Sequence, residues 1–186
     1  MFVHKTAGGM VRLLICGAFA ITSSLPAEDH DAHAHDAHQQ TAPAKLVQMV
    51  RDATRQFTDV NAATAANYWP FLGCVSGPDH GAMGVHYVNG DLVADGQIDA
   101  ARPEALIYEA QDGWMRLVGV EFIVDAATWN ANHSSPPVLE GQTFQFVDSP
   151  NRFGLAPFYE LHVWAWKDNP DGAFVDWNRR VSCEGQ

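Results

Sequence analysis

The sequence predicts an α+β domain in which an N-terminal helical region packs on a curled antiparallel sheet, or half-barrel, of about five strands. Apolar residues recur at helical spacing from Ala44 to about Asn67. Beyond Cys74 the chain changes to short segments that are rich in β-branched and aromatic residues and are separated by turn-forming residues. One helical region followed by a series of strands is typical of the α+β class.

The helical region has an apolar stripe that suits packing on a sheet. Its members are Leu46, Met49, Val50, Ala53 and Phe57. Pro43 suits a first helical turn, and Asp59 offers an alternative in which a second short helix begins there. Because Pro70 disfavours helical backbone at Trp69, the region is expected to end there.

Five segments have the composition of strands, and a sixth is a candidate edge strand. They are Met83–Asn89, Ala105–Glu109, Trp114–Val124, Gln142–Val147 and Phe158–Trp166, with Ala173–Trp177 as the candidate edge. The dipeptide Asp112–Gly113 predicts a hairpin between the second and third of them.

The clearest strand, Phe158–Trp166, predicts the wall of a pocket. Alternate side chains of a strand share a face, so Glu160 and His162 point the same way, among aromatic residues. The opposite face, which begins with Tyr159 and Leu161, is almost wholly apolar and suits a core.

The N-terminal segment predicts export. Residues 1–27 have the order of a secretory signal, with Lys5 and Arg12 before an apolar run and a cleavage-like Ser24–Ala27. The run is shorter than the roughly 20 residues that span a bilayer. We therefore expect a periplasmic or secreted protein without stable membrane insertion after processing; an uncleaved anchor is the alternative.

Two cysteines, Cys74 and Cys183, remain after such processing. In an exported protein they most simply form one disulfide, and two buried free thiols are the alternative.

Residues 28–43 form a predicted disordered tail that precedes a single domain at residues 44–186. The tail lacks large apolar residues up to Gln40 and is rich in histidine and acid, so it cannot contribute to a core. Its histidines are His30, His33, His35 and His38. They bind Zn²⁺, Cu²⁺ or Ni²⁺ readily. The tail either captures metal or is a solvated linker whose histidines are incidental.

A metal site is predicted from ligand-type residues on the strands. Glu121 lies inside an apolar run, where a carboxylate is costly to bury unless it is paired, protonated or bound to metal. With His86 and His162 it forms a candidate set for a divalent transition metal, with Glu109 or Glu160 as a fourth ligand or a supporting residue. Zn, Cu, Fe, Mn and Ni are not distinguished. The alternative places Glu121 in solvent and His162 as a hydrogen-bonded core histidine.

Several motifs resemble those of a group of secreted bacterial proteins without an established activity. They are Cys74–Ser76, Met83–Asn89, Arg102–Glu109, Asn151–Leu155 and Phe158–Trp164. The resemblance covers roughly residues 50–184. It implies an exported bacterial domain and nothing about a reaction.

The net charge limits the classes of molecule that the protein is expected to bind. With 11 basic and 22 acidic residues the charge is −11, which argues against nucleic acid because phosphate binding needs clustered Lys and Arg. We interpret the protein as an exported metal-binding protein with a metal-capturing tail, and a small molecule is a further candidate partner. The alternatives are a metal-dependent enzyme that uses the same pocket and a metal-free ligand-binding or envelope-interaction module.

Overall fold

The computed structural model describes residues 42–185. The predicted signal segment at residues 1–27 and all four tail histidines lie outside these residues. Within the described part of the chain, no helix has both the length and the apolar character needed to cross a membrane.

The N-terminal helical region consists of two helices joined by a 3₁₀ turn. Helix α1 covers Ala42–Thr54, the turn covers Arg55–Thr58 and helix α2 covers Val60–Ala65. Asp59 caps α2, because its side chain accepts a hydrogen bond from the amide of Asn61. The second helix that Asp59 suggested is therefore present.

Eight strands and two further short helices complete the domain. In chain order they are β1 (Trp69–Gly77), β2 (Gly81–Val88), α3 (Gly90–Asp95), β3 (Ala105–Gln111), β4 (Trp114–Asp125), α4 (Ala126–Asn130), β5 (Val138–Leu139), β6 (Gln142–Thr143), β7 (Gln145–Val147) and β8 (Phe158–Val163). Six of these strands form one curled antiparallel half-barrel in the order β1-β2-β3-β4-β8-β7, and β5 pairs with β6. The predicted α+β class is confirmed.

The β3–β4 hairpin forms where the sequence predicts it. Asp112 and Gly113 both have positive φ, as the two central residues of a type I′ turn require.

Strand β1 was not predicted, because its sequence and geometry are irregular. Pro70 lies within it, which an edge strand tolerates. Leu72 and Gly73 have positive φ, and the pairing with β2 shifts between Phe71 and Cys74. Such a bulge interrupts the alternation by which a strand is recognised in a sequence.

Three of the predicted strands differ from the structure by more than a shift of one or two residues at their ends. The segment Gln142–Val147 is divided at Phe144, which is buried and donates its amide to the carbonyl of Pro137. Residues 173–177 are not a strand. Strand β8 ends at Val163 rather than Trp166, since the amide of Ala165 turns back to the carbonyl of Val163.

The two faces of the sheet have different roles. Leu106, Tyr108, Phe122 and Leu161 form a core with α1 and α2, and the Tyr108 hydroxyl donates to the carbonyl of Phe57 at 2.6 Å. Trp166 also turns towards the helices and donates its indole N–H to Thr54. The opposite face is therefore free to hold polar side chains.

The segment after β8 lies against this opposite face. Ala82 of β2 and Asn178 exchange two backbone hydrogen bonds, at 3.1 and 3.2 Å. The predicted disulfide between Cys74 and Cys183 is also present and joins β1 to this segment.

Gly84 provides the first test of the fold, because β2 approaches β3 closely there. A Cβ atom at Gly84, where φ is +99°, would lie 2.6 Å from the carbonyl oxygen of Tyr108. Gly113 has φ +80° with nothing within 4 Å of a Cβ, so Gly113→Ala adds backbone strain alone. Gly84→Ala should lower the free energy of unfolding by at least about 1 kcal/mol more than Gly113→Ala. Urea denaturation measures both losses, and equal losses would contradict the close approach.

Candidate metal centre

Three strands bring two histidines and one acid together on the face away from the helices. His86 lies on β2, Glu121 on β4 and His162 on β8. Glu121 and His162 are directly opposite each other in the β4–β8 pairing. His86 is opposite Ile107 of β3, the strand between β2 and β4. Strand alternation thus directs all three side chains to one face.

The three side chains lie at distances that suit a shared ion. His86 Nε2 is 3.2 Å from Glu121 Oε2 and 3.5 Å from His162 Nε2. The imidazole rings are nearly perpendicular, at 89°. Around an ion with bonds of about 2.0–2.2 Å, tetrahedral ligand atoms are roughly 3.3–3.6 Å apart. The two measured separations are close to this value, so the group could hold a metal ion.

Burial fixes the protonation of these side chains. His86, Glu121 and His162 are 7%, 5% and 1% exposed. Desolvation lowers the pKa of both histidines to about 3, and the neighbouring His162 contributes to the lowering at His86. At neutral pH both imidazoles are neutral, which is the form that binds metal.

The acids Glu121 and Glu160 influence each other's protonation. Desolvation raises the pKa of Glu121 well above its ordinary value, and the neighbouring Glu160 raises it further. Burial also raises the pKa of Glu160 to about 7. The raised pKa favours the protonated form of Glu121, and a metal ion that binds its carboxylate would displace this proton.

Asp176 completes a second group of ligand-type atoms with Glu160 and His162. His162 Nδ1 is buried without a hydrogen-bond partner among the described residues, and Asp176 Oδ1 is 3.7 Å from it. The other carboxylate oxygen of Asp176 accepts a hydrogen bond from Gln145 at 3.2 Å. This is the position of the carboxylate that commonly orients a metal-binding histidine.

Trp164 positions Asp176. Its backbone amide donates to the carbonyl of Ala173 at 2.9 Å, and its indole donates to the carbonyl of Val175 at 2.6 Å. Sequence reasoning missed Asp176 because it lies on an irregular segment with no motif. Its position within the candidate edge strand Ala173–Trp177 was a signal that could have found it.

Glu109 does not join either group. Its carboxylate accepts hydrogen bonds from Lys167 Nζ at 2.5 Å and from the amide of Ser182 at 3.0 Å. It lies beyond a register shift in the β3–β4 pairing and is opposite Arg116. In the structure Glu109 thus forms an ion pair outside both groups, whereas Glu160 belongs to the group with His162 and Asp176.

A cavity of about 560 Å³ reaches the candidate centre from the surface. Its walls are mainly apolar and come from β1, β2, α3, β4 and the 153–158 segment. His86 and Glu121 contribute to its lining, while His162 lies behind them. A small molecule in the cavity could therefore contact two of the three ligand-type side chains.

No family model, no curated protein and no solved structure matches the chain. The resemblance to secreted bacterial proteins consequently stays a prediction. Function has to be inferred from the geometry of the site itself.

The buried Glu104 makes the stability of the domain depend on pH in a testable way. Glu104 is 1% exposed, accepts a hydrogen bond from the amide of Ile123 at 3.0 Å, and its pKa is raised to about 8 by burial. Between pH 4.5 and 8 the folded state holds a proton that the unfolded state has released, so this group makes stability fall as pH rises. Glu104→Gln should remove this contribution.

Relative to the wild type, the Glu104→Gln variant should thus become more stable as the pH rises from 5 to 8. Urea denaturation at pH 5, 6.5 and 8 measures the difference, and Glu184→Gln at an exposed position controls for the loss of one carboxyl group. A difference that stays constant with pH would contradict the protonated state of Glu104.

Proposed function

We propose that the domain binds one divalent transition metal ion through His86, His162 and Glu121. The observation that carries this proposal is the convergence of three buried ligand atoms, two pairs of which are 3.2 and 3.5 Å apart, close to the separations in a metal coordination shell. Two neutral imidazole nitrogens and one carboxylate oxygen suit Zn²⁺, Fe²⁺, Mn²⁺ or Cu²⁺. When bound, such an ion supplies a Lewis acid at the base of the cavity.

The residues around these ligands would support binding. Asp176 would orient His162 by accepting a hydrogen bond from Nδ1–H, so that Nε2 faces the ion. Glu160 would take part either as a fourth ligand or as the hydrogen-bond partner of the Glu121 carboxylate. The shared proton of the two acids would leave on metal binding.

Export and metal capture by the tail form part of the proposal. The Cys74–Cys183 disulfide supports an oxidising compartment, where such bonds persist. His30, His33, His35 and His38 would collect metal at low affinity and supply it to the buried centre.

A metal-dependent enzyme is the second candidate, and the cavity favours it. Two of the three ligands line the cavity, so a substrate could reach the ion directly. A storage or carrier site does not need such access. Turnover of a cavity ligand would distinguish the enzyme from the binding protein.

Metal content is the direct test. The protein is secreted from a bacterial host without residues 28–40, and its metal is measured by elemental analysis. We expect about one equivalent of a single metal, and loss of that metal in His162→Ala because Nε2 is gone. His133→Ala is the matched control, since His133 is exposed and stacks on Trp129. Retention of metal by His162→Ala would contradict the site, and no metal after reconstitution would favour the metal-free module.

Asp176→Asn tests the orienting carboxylate. The amide keeps the shape and the acceptor for Gln145 but weakens the interaction with His162 Nδ1–H, so metal affinity should fall about 10–100-fold while stoichiometry stays at one. Competition with a chromophoric chelator measures the affinity. Asp171→Asn, on the same segment and paired with Arg179, is the control. An affinity unchanged by Asp176→Asn would exclude the orienting role.

A further inference from the structure

The cavity above the candidate centre has the dimensions of a small-molecule site. Its volume of about 560 Å³ lies within the range of about 300–1,000 Å³ that is usual for ligand pockets. Aromatic and aliphatic side chains dominate its walls. Representative members are Trp69, Phe71, Val93, Ile123, Phe153 and Phe158. Such walls favour an apolar, flat molecule that can stack against rings.

The polar groups of the cavity are concentrated at its base. His86 and Glu121 are there, and both are more than nine-tenths buried. Asp125 and Thr128 also line the cavity, but the Asp125 carboxylate already accepts the amide of Thr128 as the cap of α4. A ligand would thus find its main polar contact at the buried end.

The charge of the cavity selects against anions. Among the described residues that line it there is no Lys or Arg, whereas two acids are present. Arg152 is engaged elsewhere: its guanidinium lies over the Trp177 ring and donates to the carbonyl of Ser76. In the metal-free cavity, a carboxylate or phosphate ligand would therefore enter without a counter-ion.

We propose that this cavity binds an uncharged aromatic alcohol or phenol whose oxygen points to His86 and Glu121. The aromatic part of the ligand packs against the apolar walls, and its oxygen reaches the buried polar end of the cavity. The direction of the oxygen rests on the proposed metal site, because two of its three ligands, His86 and Glu121, line the cavity. The packing of the aromatic part of the ligand against the apolar walls does not depend on the ion.

The test uses the full secreted chain loaded with Co²⁺, with 2-naphthol as the probe. Calorimetry measures the affinity for 2-naphthol, and the visible Co²⁺ bands report contact of its oxygen with the ion. We expect binding with a shift of these bands. In the metal-free protein, the anion 2-naphthoate, of similar shape, should bind at least 10-fold more weakly than 2-naphthol.

Two variants that fill the cavity locate the probe. Val93→Trp and Ala94→Trp, both on α3, should each weaken 2-naphthol binding at least 10-fold and leave the Co²⁺ stoichiometry unchanged. Ala94 is exposed, so its variant remains informative if Val93→Trp fails to fold. Val138→Trp, at a 60% exposed position outside the cavity lining, is the control and should bind within twofold of the wild type.

The outcomes separate this inference from the metal site. Stoichiometric Co²⁺ with no 2-naphthol binding, or with binding unaffected by both α3 variants, would overturn the cavity ligand and leave the metal site intact. If no equivalent of Co²⁺ is lost in His162→Ala, the metal site and the direction of the oxygen would be overturned. Binding of 2-naphthoate to the metal-free protein as tight as that of 2-naphthol would overturn the uncharged class.

Discussion

The burial of Glu121 opposite His162 is the constraint on which this side of the structure depends. An acid and an imidazole inside a sheet lose their hydration, and that loss must be offset by partners within the protein. Glu160 and His86 supply part of the compensation. The segment that carries Asp176 covers the group, and its backbone is fixed to β2 and to Trp164. The polar cluster thus accounts for the otherwise irregular path of the chain after β8.

One face of the sheet provides the packing that stabilises the domain, and the other face carries the polar groups of the candidate centre. The apolar face packs on α1 and α2, where Leu46 and Val50 are fully buried and the Tyr108 hydroxyl is satisfied by the helical region. That packing holds the strands at a fixed register. The other face can then carry groups that cost free energy to bury, because the core on the first face offsets the cost. Such a division is common where a rigid scaffold presents a site.

Sequence patterns predicted those features of the fold that depend on residues close together in the chain. The alternation of Phe158–Val163 gave the faces of β8, and Asp112–Gly113 gave the hairpin, since both follow from backbone geometry over a few residues. Strand β1, Asp176 and the ion pair of Glu109 could not be foreseen. Each of them depends on a bulge or on contacts between segments that are distant in the chain. A short sequence pattern does not indicate such bulges or contacts. The proximity of His86 to Glu121 likewise required the strand order.

The ligand atoms of the candidate centre come from three strands, and the two histidines are 76 positions apart in the chain. No short stretch of unfolded polypeptide presents these atoms together. An ion that binds here would therefore bind the folded state alone, and its binding free energy would be added to the free energy of folding. A free ion concentration of 100 times the dissociation constant corresponds to about 2.7 kcal/mol. The supply of metal in the compartment would then set how long the protein survives proteolysis there.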